Sequence, residues 1–193
     1  MNNTIQLKIT GVSALLLHSD RLSNPLDSMT KAHKLLTSKR KKTDQDQIDI
    51  ARSEFLSSLY PAPESMGICV PSAMVRAVLV GGAKKVKMGT EVKTGTMIVE
   101  DWVKLSYKGP STPEGLWNNP DYVDVRGVKV STSRIMRYRP KFPVWSLNVS
   151  ILFDDLVLTG EQIKNCMEIA GKYVGMGDYR PEKSGTFGRF IVE

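Results

Sequence analysis

The sequence predicts an α+β protein built on an antiparallel sheet, and three observations carry that expectation. Trp145, Leu147, Val149, Ile151 and Phe153 alternate with Ser146, Asn148 and Ser150, the period of two that puts apolar side chains on one face of a strand. Ile5, Leu7 and Ile9 alternate in the same way with Gln6, Lys8 and Thr10. Two helical segments accompany them, one over 71 to 86 that is apolar nearly all round in its first half, and one over 160 to 174 with Ile163, Met167, Ala170 and Val174 on one stripe. A chain of 193 residues with 41% hydrophobic content can bury one good core, so a single domain over 1 to 193 is expected.

Taken in order, the first strand spans 5 to 17, bending at Gly11 before the deeply apolar Ala14-Leu-Leu-Leu17. From Pro25 the pattern turns helical, with Leu26, Met29, His33 and Leu36 on one face, until the basic run Lys39-Arg40-Lys41-Lys42. Thr43 and Asp46 have capping-box spacing, and Ile48, Ala51, Phe55 and Leu59 form an apolar stripe that Pro61 stops. These helices read as an insertion over 20 to 66. Pro71-Ser72 opens the helix over 71 to 86, whose end carries Lys84, Lys85 and Lys87, placed to suit the negative end of the helix dipole. Met97, Val99, Val103, Leu105 and Tyr107 alternate along a strand over 96 to 108.

Gly109-Pro110, Pro113 and Pro120 mark a loop, Tyr122 to Val130 looks extended, and Arg134 to Lys141 is basic, so residues 109 to 143 read as a basic loop or hairpin insertion. A strand over 144 to 153 follows. Thr159 and Gln162 cap the helix over 160 to 174, Glu168 and Lys172 pair along it, Gly175 stops it, and a last strand spans 187 to 192. Without the insertions the order is βαββαβ, that of a ferredoxin-like or RNA-recognition-like antiparallel sheet with one face free for a ligand.

Charge narrows the partners. Lys and Arg number 27 against 20 Asp and Glu, a net charge of +7 with a pI near 9.4, which favours nucleic acid over a neutral small molecule. Cys69 and Cys166 are isolated, which argues against a disulfide framework or a structural zinc site. No apolar run approaches about 18 residues, and the opening Met1-Asn-Asn-Thr has no leader-like pattern, so an unprocessed cytoplasmic protein without a membrane segment is expected. Gly81-Gly82-Ala83-Lys84-Lys85 lacks the order of a phosphate-binding loop, and no GxSxG, HExxH or dinucleotide fingerprint occurs, so neither cofactor nor metal is expected.

Two segments stand out as binding candidates. The stretch from Gly175 to Phe190 is punctuated by Gly175, Gly177, Gly185 and Gly188 and carries Arg180, Lys183 and Arg189, a composition that lets backbone and charge approach phosphate oxygens together. No acid interrupts Arg126 to Lys141, where Arg134, Arg137, Arg139 and Lys141 surround Tyr138, the mixture that neutralises phosphates while stacking bases. Arg76, Lys84, Lys85 and Lys129 complete the expected nucleic-acid contacts. The run Lys39 to Lys42 has no aromatic partner and reads either as a solvated linker or as general phosphate affinity. His18, at the end of the first strand, is the candidate general acid or base should the protein be an enzyme, and Asp20, Asp27 and Asp178 are the carboxylates that a divalent ion at such a site would use.

The chain resembles the repeat-associated mysterious proteins, the RAMP superfamily, which includes the backbone and guide-processing subunits of CRISPR effector complexes. Ala14-Leu-Leu-Leu-His-Ser19 is similar to the strand that opens these proteins, and Val70-Pro-Ser-Ala-Met-Val-Arg-Ala77 resembles their I-P-G-S-S-L-K-G signature, with Ser72 and Ala77 in place of its glycines. Ser184-Gly-Thr-Phe-Gly-Arg189 resembles the family's glycine-rich S-G-F-G-R loop. The short chain also looks like small proteins carried by phages and prophages. The resemblance implies RNA or single-stranded DNA across the sheet, clamped by the glycine-rich loop and a projecting hairpin, in a homo-oligomer or as a subunit of a ribonucleoprotein. Two other expectations stand beside non-enzymatic binding: a structural or interaction protein, such as a phage assembly component or an inhibitor docking an acidic partner, and a guide-processing-like endoribonuclease using His18.

Overall fold

The computed structural model describes residues 3 to 130 and 132 to 193. Its elements are, along the chain, β1 (Asn3–Gly11), β2 (Leu15–Leu16), α1 (Ser28–Thr37), α2 (Asp44–Ser57), β3 (Cys69–Pro71), α3 (Ser72–Lys85), α4 (Gly89–Gly95), β4 (Thr96–Ile98), β5 (Trp102–Lys104), α5 (Pro113–Trp117), β6 (Val123–Val130), β7 (Ser133–Phe142), β8 (Ser146–Phe153), α6 (Gly160–Tyr173) and β9 (Phe190–Val192). The protein is mixed α+β with antiparallel sheets. Contacts gather the chain into two units, one holding the segments up to Leu15, Ala62–Lys108 and Pro143–Glu193, the other Leu16–Pro61 and Gly109–Phe142.

In the first unit, four strands are ordered β4-β8-β1-β9. The register puts Ile5 opposite Ile151, Leu7 opposite Val149 and Ile9 opposite Leu147, so both alternating patterns present their apolar residues to the same face. Leu7, Ile9, Leu147, Val149 and Ile151, with Val75, Val78 and Leu79 of α3 and Ile163, Met167 and Ala170 of α6, are buried in the core, and Ile5 is half-buried at its edge. The helices meet closely at Gly82, where a Cβ would lie 2.1 Å from the Cys166 carbonyl oxygen. The opposite sheet face is polar at its centre, where Gln6, Lys8, Asn148 and Ser150 border a shallow pocket of about 300 Å³ that Glu100 and Glu193 also line, and carries exposed Met97 and Ile191 on its outer strands.

Three expected strands are shorter than the sequence pattern suggests, each for a local reason. The strand expected over 5 to 17 ends at Gly11, because the Trp145 indole occupies the space a side chain would need there, its Nε1 lying 2.2 Å from the position of a Cβ. That indole N–H donates to the Ser13 carbonyl, and Leu15–Leu16 joins a different sheet, beside β7. The strand expected over 96 to 108 is two strands: the Glu100 carboxylate accepts the Ser150 N–H where the ladder would continue, and β5 turns away to pair with β3. The last strand starts at Phe190 because Phe187 donates to Tyr179 O, Gly188 donates to Ala14 O and accepts from Met176, and the Arg189 carbonyl accepts the Val12 and Ser13 N–H groups beyond the end of β1.

The second unit contains the sheet β2-β7-β6, the helical hairpin of α1 and α2, and α5. Asp27 caps α1 by accepting the Met29 N–H and is itself held by Arg21 at 3.1 Å. Thr43 and Asp46 form the expected capping box on α2. Fully buried Phe55 packs against Trp117 at 5.4 Å between centroids, and Trp117 meets Tyr138 edge-on at 6.3 Å, tying α2, α5 and β7 together.

Candidate nucleic-acid interface

The β6–β7 hairpin sorts its charges by face. Directly opposed residues share a side, so Asp124–Arg139, Arg126–Arg137 and Val128–Ile135 lie on one face, and Val125–Tyr138, Gly127–Met136 and Lys129–Arg134 on the other. On the first face every arginine has a carboxylate. Asp124 accepts from Arg126 Nε at 2.7 Å and again from its Nη2, and Arg139 Nη2 lies 3.8 Å from Asp124, with both of those side chains only 6% exposed. Arg137 Nη1 donates to Glu54 of α2 at 2.6 Å. His33 of α1 lies beside this pair, its Nδ1 3.2 Å from Ser53 Oγ; burial holds its pKa below the usual value, Glu54 acting against that and Arg137 with it.

The other face is unlike it. Lys129 and Arg134 are exposed and face each other across the strands, while Val125 and Met136 beside them are 50% and 53% exposed. Like charges directly opposite repel, and here no acid of the hairpin lies between them. Tyr138, inboard on the same face, is half-buried against Trp117, and Lys141 is half-buried near the hairpin base. Of the cations expected here, Lys129 and Arg134 therefore stand as exposed charges, whereas Arg137 and Arg139 are held by Glu54 and Asp124. Sequence reading missed those two acids as their neutralisers. Asp124 lies just ahead of the acid-free run, and Glu54 is 83 residues away in the chain.

The glycine-rich loop belongs to the first unit and is a closed structure. Met176 donates to Gly188 O at 2.9 Å, Gly188 to Ala14 O at 2.8 Å, Gly185 to Arg180 O at 2.9 Å and Phe187 to Tyr179 O at 3.1 Å. Gly175, Gly177 and Gly188 have positive φ, as do Tyr179 and Ser184. A Cβ on Gly185 would lie 1.7 Å from the Tyr179 carbonyl oxygen, and one on Gly188 1.8 Å from that of Met176, so both glycines serve the loop's own packing. Arg180 is held by Glu182 at 2.8 Å and by the Gly177 carbonyl, and Arg189 donates to the Lys172 carbonyl. Lys183 is exposed. Tyr179, 42% exposed, lies 6.1 Å from Phe187, an aromatic pair that the sequence reading did not single out although both residues sit between the glycines.

The remaining candidates are scattered. Arg76 donates to the Lys93 carbonyl at 2.7 Å, and Lys84 and Lys85 are exposed in the last turn of α3. His18 is exposed, its Nδ1 3.3 Å from Ser58 Oγ. Asp27 is committed to its cap and to Arg21, and among the described residues no group of three His, Cys, Asp or Glu is arranged to hold a metal ion. Cys69 and Cys166 are buried, which raises their thiol pKa values and makes both poor nucleophiles.

Charge is also divided between the units. Fourteen of the 27 Lys and Arg and nine of the 20 Asp and Glu fall in the second unit, which thus carries +5 of the +7. Its carboxylates are largely absorbed by internal pairs: Asp27 with Arg21, Asp46 with Lys39, Glu54 with Arg137, Glu114 with Arg52, and Asp124 with Arg126 and Arg139. The pair at 2.5 Å between Lys39 and Asp46, with two hydrogen bonds from Thr43, holds the Asp46 carboxyl at about 2. A depressed carboxylate contributes stability that is present above its unfolded value, near 3.8, and lost as the pH falls through about 2. Acid titration of unfolding should therefore show wild type more stable than Asp46→Asn above pH 4, with the gap closing toward pH 2; a constant gap would mean that the ionised carboxylate is not what stabilises the cap.

No protein-family model and no curated protein matches the sequence. Among the described residues no helix is long and apolar enough to cross a membrane.

Proposed function

We propose that the protein binds single-stranded nucleic acid, RNA or DNA, without catalysing its cleavage, and that the outward face of the β6–β7 hairpin is the principal contact. The observation that carries this reading is the opposition of Lys129 and Arg134. On the same hairpin Arg126 opposite Arg137 is neutralised by Asp124 and Glu54, whereas the outer pair repels without an acid between, an arrangement that a bound polyanion relieves. Exposed Met136 and Val125, inboard of the charges on the same face, offer apolar surface to bases, and Lys183 with the Tyr179–Phe187 pair supplies a separate stacking and phosphate contact in the first unit.

The polar sheet face is a poorer platform, because Gln6, Lys8, Asn148 and Ser150 include no aromatic ring and Lys8 is paired with Glu193 at 2.5 Å. A ferredoxin-like core and a place in the RAMP superfamily are part of the same proposal. They are supported by the order β4-β8-β1-β9 with α3 ahead of β4 and α6 ahead of β9, and by the closed glycine-rich loop. Titrating labelled single strands of RNA and DNA and a duplex at two salt concentrations tests the reading. Single strands are expected to bind, with log affinity falling by about 0.7 per log unit of salt for each phosphate neutralised. No binding to any of them at low salt would overturn it.

A further inference from the structure

Resting on that reading, we propose that the α1–α2 turn is a second contact, purely electrostatic, for the phosphodiester backbone of the same strand. Lys31 and Lys34 are one turn apart on α1, so they form a ridge that leads into the turn, where Arg40 and Lys41 follow; all four are exposed. The turn itself is fixed. Lys39 Nζ is 2.5 Å from Asp46 Oδ1, Lys42 Nζ donates to the Lys39 carbonyl at 2.8 Å, and Thr43 caps α2.

Lys39 and Lys42 are thereby structural, and Arg40 and Lys41 stand on the outside of a rigid loop. Of the nearby acids only Asp46 is taken by a cation, Lys39; Asp49, bonded by the neutral Gln45 amide at 2.9 Å, and Asp44 keep their charge, so the surface sets four exposed cations against two carboxylates. The helix dipole accounts for Lys34, in the last turn, but not for Lys31, nearer the positive end. No Phe, Tyr or Trp occurs between Ser23 and Glu54, and the His33 ring is half-buried beside Ser53, so the exposed surface can grip phosphates but offers no ring to stack bases. It should add affinity irrespective of base or sugar, and only for strands long enough to reach beyond the hairpin contact.

The test is a variant with Lys31, Lys34, Arg40 and Lys41 changed to Gln, beside a control with Lys87, Lys93, Lys104 and Lys164 changed to Gln. Each is titrated with 10-mer and 30-mer oligo(dT) and oligo(U), and with poly-Glu, over a salt series, after thermal melting has confirmed the fold. If the contact is real, the turn variant loses about tenfold in affinity for both 30-mers, with the salt slope smaller by about 3. The 10-mers and the control change little. The proposal is overturned if the turn variant binds the 30-mers like wild type, if the control loses as much, or if only poly-Glu binding is lost, which would mark the surface as a dock for an acidic protein. Failure of wild type to bind any oligonucleotide overturns the functional reading, and this inference with it.

Discussion

Gly188→Val is expected to unfold the C-terminal loop and to lower global stability by about 4 kcal/mol, at the upper end of single-substitution effects. Gly188 sits at φ +70°, where a β-branched residue is strained, and its Cβ would lie 1.8 Å from the Met176 carbonyl oxygen. Neither side can yield cheaply. Met176 donates to Gly188 O and Gly188 to Ala14 O, so moving the backbone apart breaks the hydrogen bonds that close the loop. Gly185→Val meets the Tyr179 carbonyl oxygen at 1.7 Å and should behave alike. Urea unfolding and limited proteolysis over 175 to 189 are the measurements, and a wild-type urea midpoint with a protected loop would contradict the geometry. Loss of nucleic-acid binding in these variants would follow from loss of the loop and would say nothing of phosphates approaching the glycines.

Arg139→Ala is expected to destabilise by about 3 kcal/mol, whereas Arg134→Ala, in the same acid-free stretch, should stay within about 0.5 kcal/mol of wild type. Arg139 and Asp124 are both 6% exposed, so truncating the arginine removes buried packing and leaves a buried carboxylate with Arg126 as its remaining ion partner. Arg137→Ala belongs with Arg139→Ala, because it strips the partner from Glu54, whose side chain is 7% exposed. Removing Arg134 relieves repulsion with Lys129 instead. Thermal melts of the three variants decide the matter; equal melting temperatures for Arg134→Ala and Arg139→Ala would show that the buried pair contributes nothing.

Periodicity reached far into this fold because its strongest patterns coincide in register. Ile5, Leu7 and Ile9 fall opposite Ile151, Val149 and Leu147, and both capping boxes, at Thr43 and Thr159, form as their spacing suggests. What the pattern could not convey was which sheet a strand joins. Met97 and Val103 lie on one apparent alternation, yet β4 pairs with β8 and β5 with β3, because the turn between them is set by the Glu100 side chain taking the Ser150 N–H. Gly11 gave a visible break, but the reason for it, the Trp145 indole, lies 134 residues away.

The binding surface was legible as composition and illegible as geometry. A basic stretch shows its arginines equally. Only the β6–β7 register separates Arg134, facing Lys129, from Arg139, facing Asp124, and only the packing of α2 brings Glu54 to Arg137. Likewise the glycines of the C-terminal loop were visible, while the carbonyl oxygens they accommodate were not.

The most direct test of the proposed function measures affinity and stability on the same samples of Lys129→Gln, Arg134→Gln and the double variant. Labelled oligo(U) is titrated over a salt series, and the urea midpoint is recorded alongside. The expected result is a several-fold loss of affinity for each single variant, a salt slope smaller by about 0.7 per residue replaced, and stability unchanged or raised by a few tenths of a kcal/mol as the opposed charges are relieved. A double variant that binds with wild-type affinity and an unchanged salt slope would contradict the assignment of this hairpin face to nucleic acid.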